Sequence, residues 1–205
     1  DVKGMAAPPR AEGSQSAPRP LISSAGELRR QEESSRLLYE MAKPTIAAIN
    51  GPAAGAGFSL ALAADIRIAS ESARFATAFA RIALSGDFGG TWLLQRLLGP
   101  ARAKELYLLA EVLDSQRAFE LGLVSKVVAA DQLMPETMAL ARRLADGPTL
   151  AYGRMKDNFA YGATATFGDT LTREAENIVA GMRTEDHRSA ALAFVEKREP
   201  VFRGR

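Results

Sequence analysis

Two short stretches of this 205-residue chain hold residues whose types and spacing suit chemistry. The first is Ile49-Asn-Gly-Pro-Ala-Ala-Gly-Ala-Gly57, an apolar run that enters a glycine-bearing turn and then a helix. Such a turn leaves backbone N–H groups free at a helix N-terminus, where the helix dipole is positive. Small residues at positions 53 to 57 let another molecule approach that backbone closely. The turn can hold a phosphate or an oxyanion, or it can serve close packing of helix on strand with no ligand. It is not a dinucleotide fingerprint, because Leu60 stands where the third glycine belongs, and no Gly-Lys-Ser/Thr of a phosphate loop follows. The second stretch is Ser85-Gly-Asp-Phe-Gly-Gly90, where Asp87 precedes a helix that Thr91 and Trp92 begin. Burial against an apolar wall of Phe79, Phe88 and Trp92 would raise its pKa and make it a usable general base. The plain alternative is that Asp87 caps the following helix.

Composition removes other chemistries. The chain has no cysteine, which excludes disulfides, a zinc–thiolate site and a cysteine nucleophile. His187 is the single histidine, so a His-rich metal site or a Ser-His-Asp triad would need that one residue. It follows Asp186 at the start of the last helix and reads as a surface or capping residue, so no metal is expected. The 26 basic and 24 acidic side chains leave a charge of +2, too slight an excess to argue for nucleic acid. Arg29-Arg30 and Arg142-Arg143 look like solvated helix faces. No apolar run reaches the roughly 18 residues of a membrane span. The chain begins at Asp1 without an initiator Met, so a targeting segment is not judged from it, and a cytoplasmic location is the expectation.

The elements that must position these stretches are legible in outline. Pro8 to Pro20 is polar and turn-forming, which predicts a mobile loop. Glu27 to Met41 reads as an amphipathic helix stopped at Lys43-Pro44. Thr45 to Ile49 is apolar and β-branched, a buried parallel strand, and Phe58 to about Ala64 is a helix. Ile66–Ala69, Ala73–Ala76 and Leu123–Val128 are further strands. Helices are predicted up to Leu98, from Ala101 to Ala110, and from Ser115 to Leu121. From about Asp131 the chain is helical, with breaks at Gly147-Pro148 and between Gly162 and Gly168. The fold class is α/β with a helical C-terminal part, divided as a core over 1–130 and a helical region over 131–205.

Lys43-Pro-Thr-Ile-Ala-Ala-Ile-Asn-Gly-Pro-Ala-Ala-Gly-Ala-Gly57, followed by Leu60-Ala-Leu-Ala-Ala-Asp65, resembles the central signature of the crotonase (enoyl-CoA hydratase/isomerase) superfamily. The likeness continues through Phe75, Gly89-Gly-Thr91, Leu97-Leu-Gly99, Ala118-Phe-Glu-Leu-Gly-Leu-Val124 and the tail from Ala193 to Phe202. It implies a crotonase-like ββα superhelix with a C-terminal trimerisation region, and that the first part of the fold is absent from this chain. It also implies a thioester site in which two backbone N–H groups hold the carbonyl oxygen as an enolate forms. One donor matches Ala56. The other belongs to a residue preceding Asp1. The family's two hydratase glutamates fall at Ser59 and Phe79, and a hydroxyl and a benzyl group do not replace two carboxylates. Asp87 matches the turn in which some isomerases and dehalogenases of the family carry a catalytic Asp.

The same resemblance makes Lys3, Gly55, Phe88, Gly89, Trp92, Phe194 and Lys197 substrate-binding positions, with Lys3, Phe194 and Lys197 toward coenzyme A. The expected activity is double-bond isomerisation of an acyl-CoA thioester. Alternatives are an enoyl-CoA hydratase or acyl-CoA hydrolase of the same family, or an acyl-CoA-binding homologue without turnover. No permanently bound cofactor is expected, since coenzyme A belongs to the substrate. The expected assembly is a homotrimer or a dimer of trimers, without nucleic acid or membrane partners.

Overall fold

The structure is a computed structural model that describes residues 24–205. Asp1, Lys3 and the Pro8–Pro20 loop lie outside the described residues, so the expectations placed on them stand as expectations. Apolar residues on both faces of the strand entering the glycine turn suit it to a sheet covered on both sides. Strand β1 (Ile46–Ile49) runs parallel to β3 (Ile66–Ser70), which runs parallel to β6 (Lys126–Val128). The register sets Ile49 beside Ala69. A second sheet joins β2 (Pro52–Ala54) in parallel to β4 (Arg74–Ala76), with β5 (Leu113–Asp114) antiparallel on its far side. The chain therefore passes from one sheet to the other and then through a helix, α3 (Ala56–Ala63), before repeating. That is a ββα superhelical turn.

Helix α3 reads Ala-Gly-Phe-Ser-Leu-Ala-Leu-Ala and has no polar face beyond Ser59, so it must be buried all round. Phe58 and Leu62 pack with Phe75, Leu94, Leu106 and Leu123 in the core, and the Phe58 and Phe75 rings lie 5.6 Å apart. Burying each such side chain stabilises the fold by about 1.5–3 kcal/mol. Arg67 points inward from β3, and its guanidinium donates to the carbonyls of Leu123 and Ala64, both at 2.6 Å. Its charge is buried with satisfied donors, which ties β3 to the loop before β6. Around this core stand α4 (Gly90–Leu98), α5 (Pro100–Leu109) and α6 (Ser115–Glu120).

Several sequence expectations need correction. The single helix predicted from Glu27 to Met41 is two, α1 (Ala25–Gln31) and α2 (Glu33–Glu40), broken at Glu32. Glu32 has ψ −11°, a tightened turn that the repeat of apolar residues does not encode. Strands β2 and β5, of three and two residues, were not foreseen. The strand expected from Leu123 begins at Lys126. Leu123 and Val124 are buried in coil instead, with both N–H groups on the Ala118 carbonyl.

The C-terminal helices are α7 (Leu133–Ala145), α8 (Thr149–Gly162), α9 (Phe167–Met182) and α10 (Glu185–Val195). Helix α7 packs on β1 and β3, and α8 docks on α2. That docking is specific: Lys156 Nζ donates to Asp65 Oδ2 at 2.7 Å and to the Lys43 carbonyl at 3.1 Å. Asp65 Oδ2 also accepts the Thr45 N–H at 2.7 Å and its hydroxyl at 2.9 Å. Among the described residues, no helix is long and apolar enough to cross a membrane.

Candidate active site

The glycine turn is built by strand pairing. Gly55 donates its N–H to the Ala76 carbonyl at 3.1 Å, which carries the β2–β4 ladder one step further into the turn. Its φ of +54° and ψ of −125° are open to glycine and strained for other residues. The chain then starts α3 without a side-chain cap, and the first backbone bond into the turn comes from the Ser59 N–H. Among the described residues, no acceptor engages the N–H groups of Ala56, Gly57 or Phe58. Three donors at a positive helix end are thus available to an oxyanion, and Ala56 is one of them.

Behind the turn, the Phe79 ring lies against Gly55 and stacks on Tyr107 at 6.0 Å with an interplanar angle of 4°. Ser59 is buried and places its hydroxyl 3.3 Å from the Gly55 carbonyl. Ser59 Oγ and the Tyr107 hydroxyl also meet over Gly90, where a Cβ would collide with both. Burial pushes the Tyr107 phenol up, a hydrogen bond with Ser59 works the other way, and the Asp87 charge adds to the rise. Tyr107 therefore meets both Phe79 and the α3 residue Ser59. Nothing local in the sequence singles it out, because its role comes from α5 crossing behind the turn.

Asp87 does not cap α4. The N-cap is Gly89, with φ +73°, and no side chain bonds to the first turn. The Asp87 main-chain carbonyl accepts the Gly90 N–H at 3.0 Å, while its buried Oδ1 has no hydrogen-bond partner among the described residues. Burial, and then the charge of Glu32, push its carboxyl above the ordinary aspartate value. A half-buried carboxyl with an unengaged oxygen and a raised pKa is suited to taking up a proton.

The apolar wall expected beside Asp87 is divided. Phe79 pairs with Tyr107, whereas Trp92 meets Tyr39 edge-on at 5.2 Å and carries the Arg96 guanidinium 3.4 Å over its ring. Phe88 has a left-handed backbone, at φ +48°. With Gly89 and Trp92 it lines a groove of about 430 Å³ between α1–α2 and α4, together with Glu32, Ser35 and Tyr39. Phe194 and Lys197 are not brought to the site by this chain. Phe194 is 85% exposed on α10, and no hydrogen bond, ion pair or ring contact joins either residue to Asp87 or the glycine turn. His187 is exposed, and its backbone N–H donates to the N-cap hydroxyl of Thr184 at 3.1 Å.

Residues 21–205 match the enoyl-CoA hydratase/isomerase family. The chain is 42% identical over 170 residues to the 1,2-epoxyphenylacetyl-CoA isomerase of Escherichia coli K12, which covers 83% of this chain and 65% of that protein. It is 37% identical over 167 residues to the crotonyl-CoA hydratase of Syntrophomonas wolfei, covering 82% and 64%. The chain thus spans slightly under two thirds of the length of these relatives. The crystal structure of an enoyl-CoA hydratase from Polaromonas sp. JS666 superposes with a TM-score of 0.83 at 34% identity, over 87% of this chain and 70% of that one.

Proposed function

Given that the chain belongs to the enoyl-CoA hydratase/isomerase family, we propose that its complete protein is an acyl-CoA double-bond isomerase with Asp87 as the base. The observation that carries this reading is the Asp87 carboxyl itself, which does not cap α4, leaves Oδ1 unengaged among the described residues and has its pKa pushed up by burial. Moving a double bond toward a thioester needs a proton removed next to the carbonyl and one returned two carbons away. One base does both while the enolate oxygen stays on the Ala56 N–H. Asp87 takes the proton, and the same carboxylic acid delivers it to the distal carbon. No outside water takes part, which agrees with Ser59 and Phe79 standing where a hydratase of this family carries its glutamates. The substrate supplies coenzyme A, with Phe88, Gly89 and Trp92 along the acyl groove.

A hydratase is the second reading, favoured by the name of the 37% identical Syntrophomonas protein. Assembly into trimers is part of the proposal. Helices α8 and α9 bury no residue, while Phe159, Phe167, Ile178 and Phe194 stand 61–85% exposed along the C-terminal helices. A neighbouring copy that covers them would also bring Phe194 and Lys197 to a site. The test is isomerisation of a 3-enoyl-CoA by the full-length protein and by Asp87→Asn, with thioester binding followed separately by calorimetry. Loss of turnover by about 100- to 10,000-fold with binding retained supports the base. Parental turnover in the Asn variant rejects it.

A further inference from the structure

We propose that Glu32 and Ser35 are positioning residues that set the Asp87 carboxyl by gripping the backbone N–H and carbonyl of Phe88, the residue that follows it. This rests on the reading of Asp87 as the base and deepens it. Glu32 Oε1 accepts the Phe88 N–H at 3.0 Å, and Ser35 Oγ donates to the Phe88 carbonyl at 2.7 Å. Both polar groups of a single residue are thereby held by two side chains one helical turn apart. The holders are unusual for their element. Glu32 sits at the break between α1 and α2, and Ser35 is the one buried residue of α2.

The residue they hold needs holding. Phe88 is left-handed at φ +48°, a conformation that costs a residue with a Cβ and persists only where the surroundings over-determine it. Within the turn itself, the bond from the Gly90 N–H to the Asp87 carbonyl is the one contribution, since no side chain caps α4. The direction of the Asp87 carboxyl is therefore fixed through the neighbouring backbone, while its own Oδ1 makes no bond among the described residues. A base that must exchange a proton needs that division of labour: a fixed position with free lone pairs.

Glu32 also supplies the charge that faces Asp87, a like charge that disfavours ionisation of the aspartate. The other titratable neighbour is Tyr107, from α5. The nearby cations are engaged elsewhere or exposed. Arg36 is paired with Glu33 and Glu40, Arg29 with Glu33, Arg96 lies on Trp92, and Arg81 of the Phe79–Ile82 turn is exposed.

The test uses the full-length protein, a 3-enoyl-CoA substrate and full pH profiles of kcat and KM. Glu32→Gln keeps an acceptor for the Phe88 N–H and removes the charge, so the acid limb of kcat moves to lower pH. Ser35→Ala and Glu32→Ala each release one side of the grip, and kcat falls on the order of 10- to 100-fold with KM little changed. Ser35→Thr, which keeps the hydroxyl, restores kcat. If Asp87→Asn is inactive while all of these variants keep the parental kcat and acid limb, the positioning role is wrong and the base stands. Should Asp87→Asn turn over like the parent, the base is wrong and the positioning role goes with it. If an alanine variant fails to fold, Ser35→Cys, which keeps the shape and weakens the donor to the Phe88 carbonyl, decides in its place, and a parental kcat overturns the inference.

Discussion

Ser59 Oγ and the Tyr107 hydroxyl each lie 2.3 Å from the place where a Cβ on Gly90 would have to sit. One hydroxyl comes from α3 and the other from α5, and α4 begins between them. Three helices therefore meet at the site without a methyl group's worth of spare room.

Gly90→Ala tests that closeness. Gly90 is helical and has no positive φ, so the substitution is opposed by contacts and not by backbone conformation. Overpacking of this kind costs about 1–3 kcal/mol. The expected result is a lower urea midpoint with an unchanged slope. Gly90→Ala combined with Ser59→Gly and Tyr107→Phe should recover most of the loss, since both obstructing oxygens are then gone.

Hydration should be slow in the unmodified protein, because Ser59 and Phe79 offer no carboxyl to activate water or deliver a proton. Ser59→Glu with Phe79→Glu is needed for measurable hydration of a short 2-enoyl thioester. The structure adds a condition. Tyr107 stacks on Phe79 and meets Ser59, so the glutamates need Tyr107→Ala to find room. The assay is loss of enoyl absorbance. Brisk hydration by the parent would mean that Ser59 and Phe79 are misassigned.

Lys156→Met should loosen the C-terminal helices from the core. The Lys156 side chain is 14% exposed, its ammonium bridges Asp65 and the Lys43 carbonyl, and Asp65 in turn holds Thr45 at the head of β1. Methionine keeps the stem and removes the donors. A partly buried ion pair with a charge-assisted hydrogen bond contributes on the order of 1–3 kcal/mol. Urea unfolding should show that loss, and hydrogen exchange should rise in α8 and at Thr45 together. A rise confined to α8 would show that the latch does not reach β1.

The glycine turn, the Asp87 turn and most helix bounds were legible because each is a local pattern. Gly55-Ala-Gly57 announces a turn into a helix, and Gly99-Pro100 and Gly147-Pro148 announce helix ends. What the sequence hid is non-local. Tyr107 reads as one more residue of an ordinary helix until α5 crosses behind Phe79. Glu32 and Ser35 lie 56 and 53 residues from the Phe88 groups they bind, so no window of sequence joins them. The wall expected from three aromatics divided because Phe79 pairs with Tyr107 and Trp92 with Tyr39, partners that no local pattern announces.

Asp87 also makes a prediction about stability that runs against its catalytic one. Burial and the Glu32 charge hold its folded pKa above the unfolded value, so the folded state keeps its proton where the unfolded chain has lost it. The stability this group contributes is complete below the unfolded pKa and is lost as pH rises through the folded pKa. The ionised carboxylate is consequently a cost to the fold. Asp87→Asn removes the charge and keeps the shape, so it should unfold at equal or higher urea than the parent at pH 7, with the two curves converging as pH falls below the unfolded aspartate range. Glu32→Gln should narrow the same gap from the other partner. The measurement is urea unfolding of the parent and both variants between about pH 4 and 8, the range in which aspartates with raised pKa values titrate. A less stable Asn variant at pH 7 would show that Asp87 is a structural ligand of its turn, and the unengaged base would lose its main physical support.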